Sequence, residues 1–218
     1  MKKHLKSFKH IISLCLILFS LFFNFPCHAF ELTVPASANE IDVWDLVLEE
    51  NCHYPIVPKG VTPQIQKKML EQYNSLKKKG FEVIQMRNNE VIKITISTDY
   101  LFEFNSTNLN EESSAKYLNH FLEYLKVNGL YRVIIVVHHD NSLSPDEAED
   151  LTYDRVFSIK DWFLKRHKNA ESIIPYSMGN DMLITDDNSK KGRKRNRRLE
   201  IYLIPGELMI ELASEDNL

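Results

Sequence analysis

The chain has 218 residues, 44% of them hydrophobic and 26% charged, which places it among globular proteins and excludes a wholly disordered or fibrous chain. Its net charge is −3; four lysines and no acid lie in residues 1–29, so the remainder holds 23 basic and 30 acidic residues and is net −7, which argues against general nucleic-acid binding. Of three cysteines only Cys52 lies beyond that first segment, so no internal disulfide framework supports the fold.

Residues 1–29 read as a secretory signal. Lys2, Lys3, Lys6 and Lys9 precede a short apolar run, and Ala29 is a small residue at the cut. Cleavage after Ala29 is preferred over a lipid anchor at Cys27, because Asn24-Phe25-Pro26 does not have the Leu and final small residue that lipidation uses. The apolar run is too short to span a bilayer, and the mature chain carries no transmembrane span. Residues 30–62 read as a linker or docking arm. Within it the stretch 40–50 fits a short helix or a strand, and Trp44 and Leu46 are expected to pack on the domain or bind a partner. Cys52 reads as a partly buried thiol, with pairing to another chain as the alternative.

Residues 63–80 are predicted as an amphipathic helix with Ile65, Met69, Tyr73 and Leu76 on one face, capped by Thr62 and stopped by Gly80. Two β-rich segments around Asn88-Asn89 then form a hairpin. A helix from Asn110 to about Gly129 presents Ala115, Leu118, Leu122 and Leu125, with Phe121 beside them. The apolar run 131–137 is a buried strand, expected at the centre of the sheet, with Val133, Ile135 and Val137 in the core. It ends in His138-His139-Asp140. Ser144, Pro145 and Glu147 then start a helix through a capping box, and it runs to about His167 with Ile159 and Phe163 buried. A strand near Ile173-Ile174, a polar loop from Asp181 and a final strand at 197–204 complete the order. Strands alternating with helices imply an α/β (α+β) two-layer sandwich.

The motifs Phe102-x-Phe104-Asn105, His138-x-Asp140, Leu151-Thr152-x-x-Arg155 and Gly192-Arg193-x-x-Asn196-Arg197-Arg198-Leu199-Glu200 occur in this order. Together they resemble the OmpA-like C-terminal, peptidoglycan-associating domain of Gram-negative envelopes, over about residues 90–205 within a domain at 81–212. Asp140 and Arg155 stand fifteen residues apart, as the family's acid and arginine do. The resemblance implies a βαβαβ-type mixed sheet with helices on one face, and non-catalytic binding of the diaminopimelate side chain of the peptidoglycan stem peptide. Its ligand-binding positions fall on Asp140, Arg155, Phe104, Asn105, Leu151 and Thr152. Chemistry agrees: diaminopimelate ends in a zwitterion, so a carboxylate can hold the ammonium and a guanidinium can clamp the carboxylate. A plain surface ion pair is the competing reading of Asp140 and Arg155. As binding residues, both are expected near the surface.

The chain departs from the family pattern at Val137, His139 and Ala148, where Gly, Thr and Asn are usual, and it has no Gly soon after Asp140. The alternative function is therefore an OmpA-like protein-interaction subunit of an envelope secretion or motility assembly that no longer binds the wall, meeting envelope proteins through residues 30–62. No cofactor or metal is implied: adjacent histidines on a strand point to opposite faces, and no third ligand joins His138 and Asp140. The seven basic residues within 190–198 read as a structural turn whose arginines bond nearby carbonyls and carboxylates, before nucleic acid or anionic polymer. No hydrolase, P-loop or metalloprotease motif is present, so the reading is a non-enzyme of the periplasm, associated with the outer membrane or an envelope machine.

Overall fold

Strand segments rich in β-branched residues between 82 and 205 build a five-stranded mixed sheet in a computed structural model that describes residues 46–218. The expected signal segment, Trp44 and the first part of the expected arm lie outside the described residues. The strands are β1 (Glu82–Met86), β2 (Val91–Ser97), β3 (Tyr131–His138), β4 (Ile174–Ser177) and β5 (Arg198–Pro205), in the spatial order β1-β2-β5-β3-β4. Only β3 and β4 are parallel, and the helix between them makes the crossover that a parallel pair requires. β5, rather than the 131–137 strand, holds the middle of the sheet: it is antiparallel to both β2 and β3. A hydrophobic run reports burial, and β3 and β5 are both buried, so burial could not order them.

Six α-helices accompany the sheet among the described residues: α1 (Leu48–His53), α2 (Thr62–Lys78), α3 (Glu111–Leu118), α4 (Pro145–Leu164), α5 (Lys190–Asn196) and α6 (Glu207–Ser214), with a run of 3-10 turns at Asn119–Leu125 continuing α3. Period-two alternation divides the strands between two apolar clusters. Val133, Ile135, Val137, Leu199, Ile201 and Leu203 face the larger one, where α2 brings Ile65, Met69 and Leu76 and α4 brings Ile159 and Phe163. Ile134, Val136, Tyr202 and Ile204 face the other way, against Cys52. The two-layer sandwich is as expected, with helices on one principal face.

The arm's described part closes the second face. Arg132 Nη1 donates to the carbonyl oxygens of Asn51, at 2.7 Å, and of Tyr54. Arg87 donates to those of Cys52, at 3.2 Å, and Pro55, at 2.9 Å, while the Tyr176 hydroxyl reaches Leu46 O at 2.6 Å. Two arginines thus satisfy four carbonyls that a short irregular segment would otherwise leave unpaired. Cys52 is buried beneath it, and burial pushes its thiol up to about 11, so it is an inert packing group rather than a reactive one.

Two expected elements differ. The helix capped by Asn110 stops at Leu118 and continues as 3-10 turns to Leu125. The tighter winding turns Phe121, Tyr124 and Leu125 inward and leaves Leu122 only partly buried. Leu118→Ala should therefore cost about 2–5 kcal/mol and Leu122→Ala under about half of that, read from urea denaturation midpoints. At α2 the first residue is Thr62 itself, and its hydroxyl donates to Pro58 O at 3.1 Å instead of capping the helix.

Candidate functional site

β3 carries the chain to His138, and two further backbone bonds hold the residues past its end. His139 N donates to Gly179 O at 2.6 Å and Met178 N to Val137 O at 3.0 Å. Asp140 is fixed just beyond. One oxygen accepts from Ser142 N at 3.0 Å and from the Ser142 hydroxyl; the other accepts from Arg197 Nη1. Burial opposes its ionisation, yet the Ser142 bonds and the Arg197 guanidinium outweigh burial and hold the carboxyl below its usual range.

Arg197 is held from two sides. Its Nε and Nη2 donate to the Asp99 carboxylate at 2.8 and 3.0 Å, a two-pronged pair, while Nη1 serves Asp140. These bonds, those to Asp99 first, push its pKa up. Arg155, from the third turn of α4, faces the loop after Asp99. Its Nε donates to Ser106 O at 2.9 Å and Nη2 to Glu103 O at 3.2 Å, and its guanidinium lies 4.8 Å from the Phe102 ring centroid. Burial brings the Arg155 pKa down to about 10.

The expected surface placement of Asp140 and Arg155 is corrected: they are 0% and 3% exposed. Among the described residues no ion pair joins them. The acid takes Arg197 and the arginine braces the 103–106 loop, so neither is a plain surface pair. Phe104 stands 79% exposed, and Asn105 is exposed in the left-handed region at φ 51°, a conformation that Asn tolerates better than most residues. Leu151 is half-buried. Thr152 is buried; its hydroxyl donates to Ala148 O at 2.9 Å and accepts from Gly179 N at 3.0 Å, so it ties α4 to the end of β4. A cleft of about 430 Å³, lined by Asp99, Phe102, Glu103, Phe104 and Arg197 among others, opens at this end.

Sequence reasoning missed Asp99 and gave Arg197 no part in the site. The available signal was the sheet alternation that separates Arg197 from Arg198. Arg198 turns to the other face, where its Nε donates to Glu200 at 2.8 Å, as a structural arginine should. The rest of the motif shapes the loop that backs Asp140. Asn196 accepts from Ile184 N and Thr185 N and donates to Thr185 O and Asp187. Asp187 in turn accepts from Asn141 N at 3.0 Å. Gly192 allows this packing, since a Cβ there would lie 1.8 Å from Asp186 O.

The two histidines separate as alternation requires. His138 Nε2 lies 3.6 Å from Glu200 Oε2, outside hydrogen-bond reach, while His139 Nδ1 lies 3.0 Å from Asp140 O. Each is 1% exposed, and burial lowers both pKa values. The unfolded chain takes up these protons near pH 6.5 and the folded chain does so only at lower pH. Below about pH 6.5 the unfolded state therefore binds more protons, and stability falls on acidification by up to about 1.4 kcal/mol per pH unit for each histidine. Melting temperature should drop between pH 7 and pH 5, and His139→Gln should reduce the slope. The depressed carboxylates Asp140 and Glu200 add a further loss only at more acid pH, below about 4.

A mixed sandwich thus carries a buried acid, two arginines and, beside Arg197, an open cleft. The OmpA family model matches residues 101–197, from Leu101 through Arg197. That stretch of the chain is an OmpA-family domain, and it contains every residue of the site except Asp99. The fold is shared with a MotB-like protein from Desulfovibrio vulgaris, at 16% identity and a TM-score of 0.54, over 66% of this chain and 94% of the other. It is also shared with the periplasmic domain of Helicobacter pylori MotB, at 16% identity and a TM-score of 0.50, over 63% and 90%. At these identities the likeness is one of fold. Among curated proteins there is no sequence match.

Proposed function

We propose that this domain binds peptidoglycan without cleaving it, through the diaminopimelate side chain of the stem peptide, and anchors an envelope structure to the cell wall from the periplasm. The observation that carries this reading is an ionised Asp140, sealed from solvent, whose oxygen already holds a guanidinium. A ligand ammonium can replace the Arg197 nitrogen there while Arg197 keeps its pair with Asp99. The ligand carboxylate then meets Arg155 and the released edge of Arg197, both cationic. Phe104 and Asn105 border the approach. Among the described residues no helix is long and apolar enough to cross a membrane. The signal segment supplies export, with residues 30–62 leading to the domain.

A second reading has its own support. Val137, His139 and Ala148, the three departures from the family pattern, are all buried and packed. A site filled in this way suits a domain that has kept the fold and serves as an interaction subunit of an envelope assembly.

Co-sedimentation with purified sacculi decides between them. The wild type should sediment. Asp140→Ala should weaken binding about tenfold or more, the worth of one charge-assisted contact. Lys67→Ala, an exposed change on α2, should sediment as wild type. Retention of the wild type in solution removes the wall reading in favour of the interaction subunit.

A further inference from the structure

We propose a second, separate binding site: a basic cleft between α5 and the hairpin that takes a phosphate ester. The cleft encloses about 320 Å³. Phe81, Ile96 and Ile184 give it apolar surface, and Lys191, Lys194 and Arg195 give it cations. These three cations follow one another at i, i+3 and i+4, so they share one face of α5. Like charges at that spacing destabilise a helix, and here no acid offsets them. Among the described residues none of these three side chains forms an ion pair or a hydrogen bond. The one acid on the cleft is the exposed Glu82.

This is unexpected in a chain whose acids outnumber its bases. A counter-charge from outside the protein resolves it. One cation is also held in place: Lys194 Nζ lies 4.9 Å from the centre of the Tyr100 ring, which stacks on Tyr117 at 5.2 Å and 10°. Lys116 Nζ lies 5.7 Å from the centre of the Tyr117 ring, so the stacked tyrosines are flanked by two lysines. The wall adds the Ser97 hydroxyl, buried and without a hydrogen-bond partner. Three cations and a spare hydroxyl match a phosphate, which carries up to two charges on several oxygens. A carboxylate would leave two of the cations unmatched. The apolar lining suits the carbon body that an ester carries. Tyr100 also borders the cleft near Asp99, but none of the three cations does, so this site stands independently of wall binding.

The test uses the exported protein and two probes, glycerol 3-phosphate by calorimetry and flotation with phosphatidylcholine vesicles containing phosphatidylglycerol. The variant is Lys191→Ala with Lys194→Ala and Arg195→Ala; Lys191, Lys194 and Arg195 are all exposed, and its melting temperature controls for folding. Wild-type binding that falls at least about tenfold in the variant, and weakens as salt is raised, supports the site. Loss on vesicles as well as in solution identifies a lipid headgroup; loss with glycerol 3-phosphate alone identifies a soluble ester. No binding of either probe by the wild type, or equal binding by the variant, overturns the proposal. Sacculus sedimentation of the same variant should be unchanged, which keeps this result distinct from that of the Asp140 site.

Discussion

Glu200→Ala should cost the domain about 3–5 kcal/mol, because it leaves buried cations without their counter-charge. Glu200 is 3% exposed in the middle strand. One oxygen accepts from Arg198 Nε at 2.8 Å and Lys93 Nζ at 3.2 Å, and the other from the Tyr202 hydroxyl at 2.6 Å. Burial alone would raise the Glu200 pKa, but His138, Tyr202 and Arg198 bring it well below the usual carboxylate range. Without this acid, Arg198 remains buried with a charge and one carbonyl partner, Asn196 O at 3.3 Å. Replacing both members by apolar residues, Glu200→Leu with Arg198→Met, should recover much of the loss, since the pair as a whole adds little net stability. Urea denaturation of the three proteins measures this. A loss under about 1 kcal/mol for Glu200→Ala alone would show that water reaches the network.

Arg155→Ala should reduce stability and wall binding together. It removes two charged donors from the carbonyls of Ser106 and Glu103, worth about 1.5–3 kcal/mol each at most. It also frees the loop that carries Phe104 and the left-handed Asn105. Sacculus binding should fall more than about tenfold. Arg155→Lys should restore only part of either property, because one ammonium cannot serve Ser106 and Glu103 with the planar geometry of a guanidinium. Binding is to be compared at a temperature where circular dichroism finds every variant folded. An Arg155→Ala protein that is less stable yet sediments like the wild type would reduce Arg155 to a loop brace and leave Arg197 as the site's working cation.

The legible features were those written in short spans. The capping box at Ser144 forms as its residues dictate, with Ser144 accepting from Glu147 N and the Glu147 carboxylate accepting from Ser144 N. The faces of α2 and β3 follow their periods. The Gly192-to-Asn196 motif was legible as a motif, though its helix was not: a run of lysine and arginine has no apolar stripe to mark it. α6 also escaped, being a short segment after the last expected strand. Leu122 was misplaced because a switch from α to 3-10 winding leaves no mark in the pattern of apolar residues.

What the sequence by itself determined is the order of the strands and of the longer helices α2, α3 and α4, the family motifs and the residues at the mouth of β3, since each depends on neighbours within a few positions. Tertiary structure alone decided which charges meet. Arg197 lies 57 residues from Asp140 and 98 from Asp99, and it reaches both because β5 runs antiparallel to β3 with His138 opposite Arg198. Sheet register, set by burial of both faces over whole strands, brings these groups together; no local spacing records it.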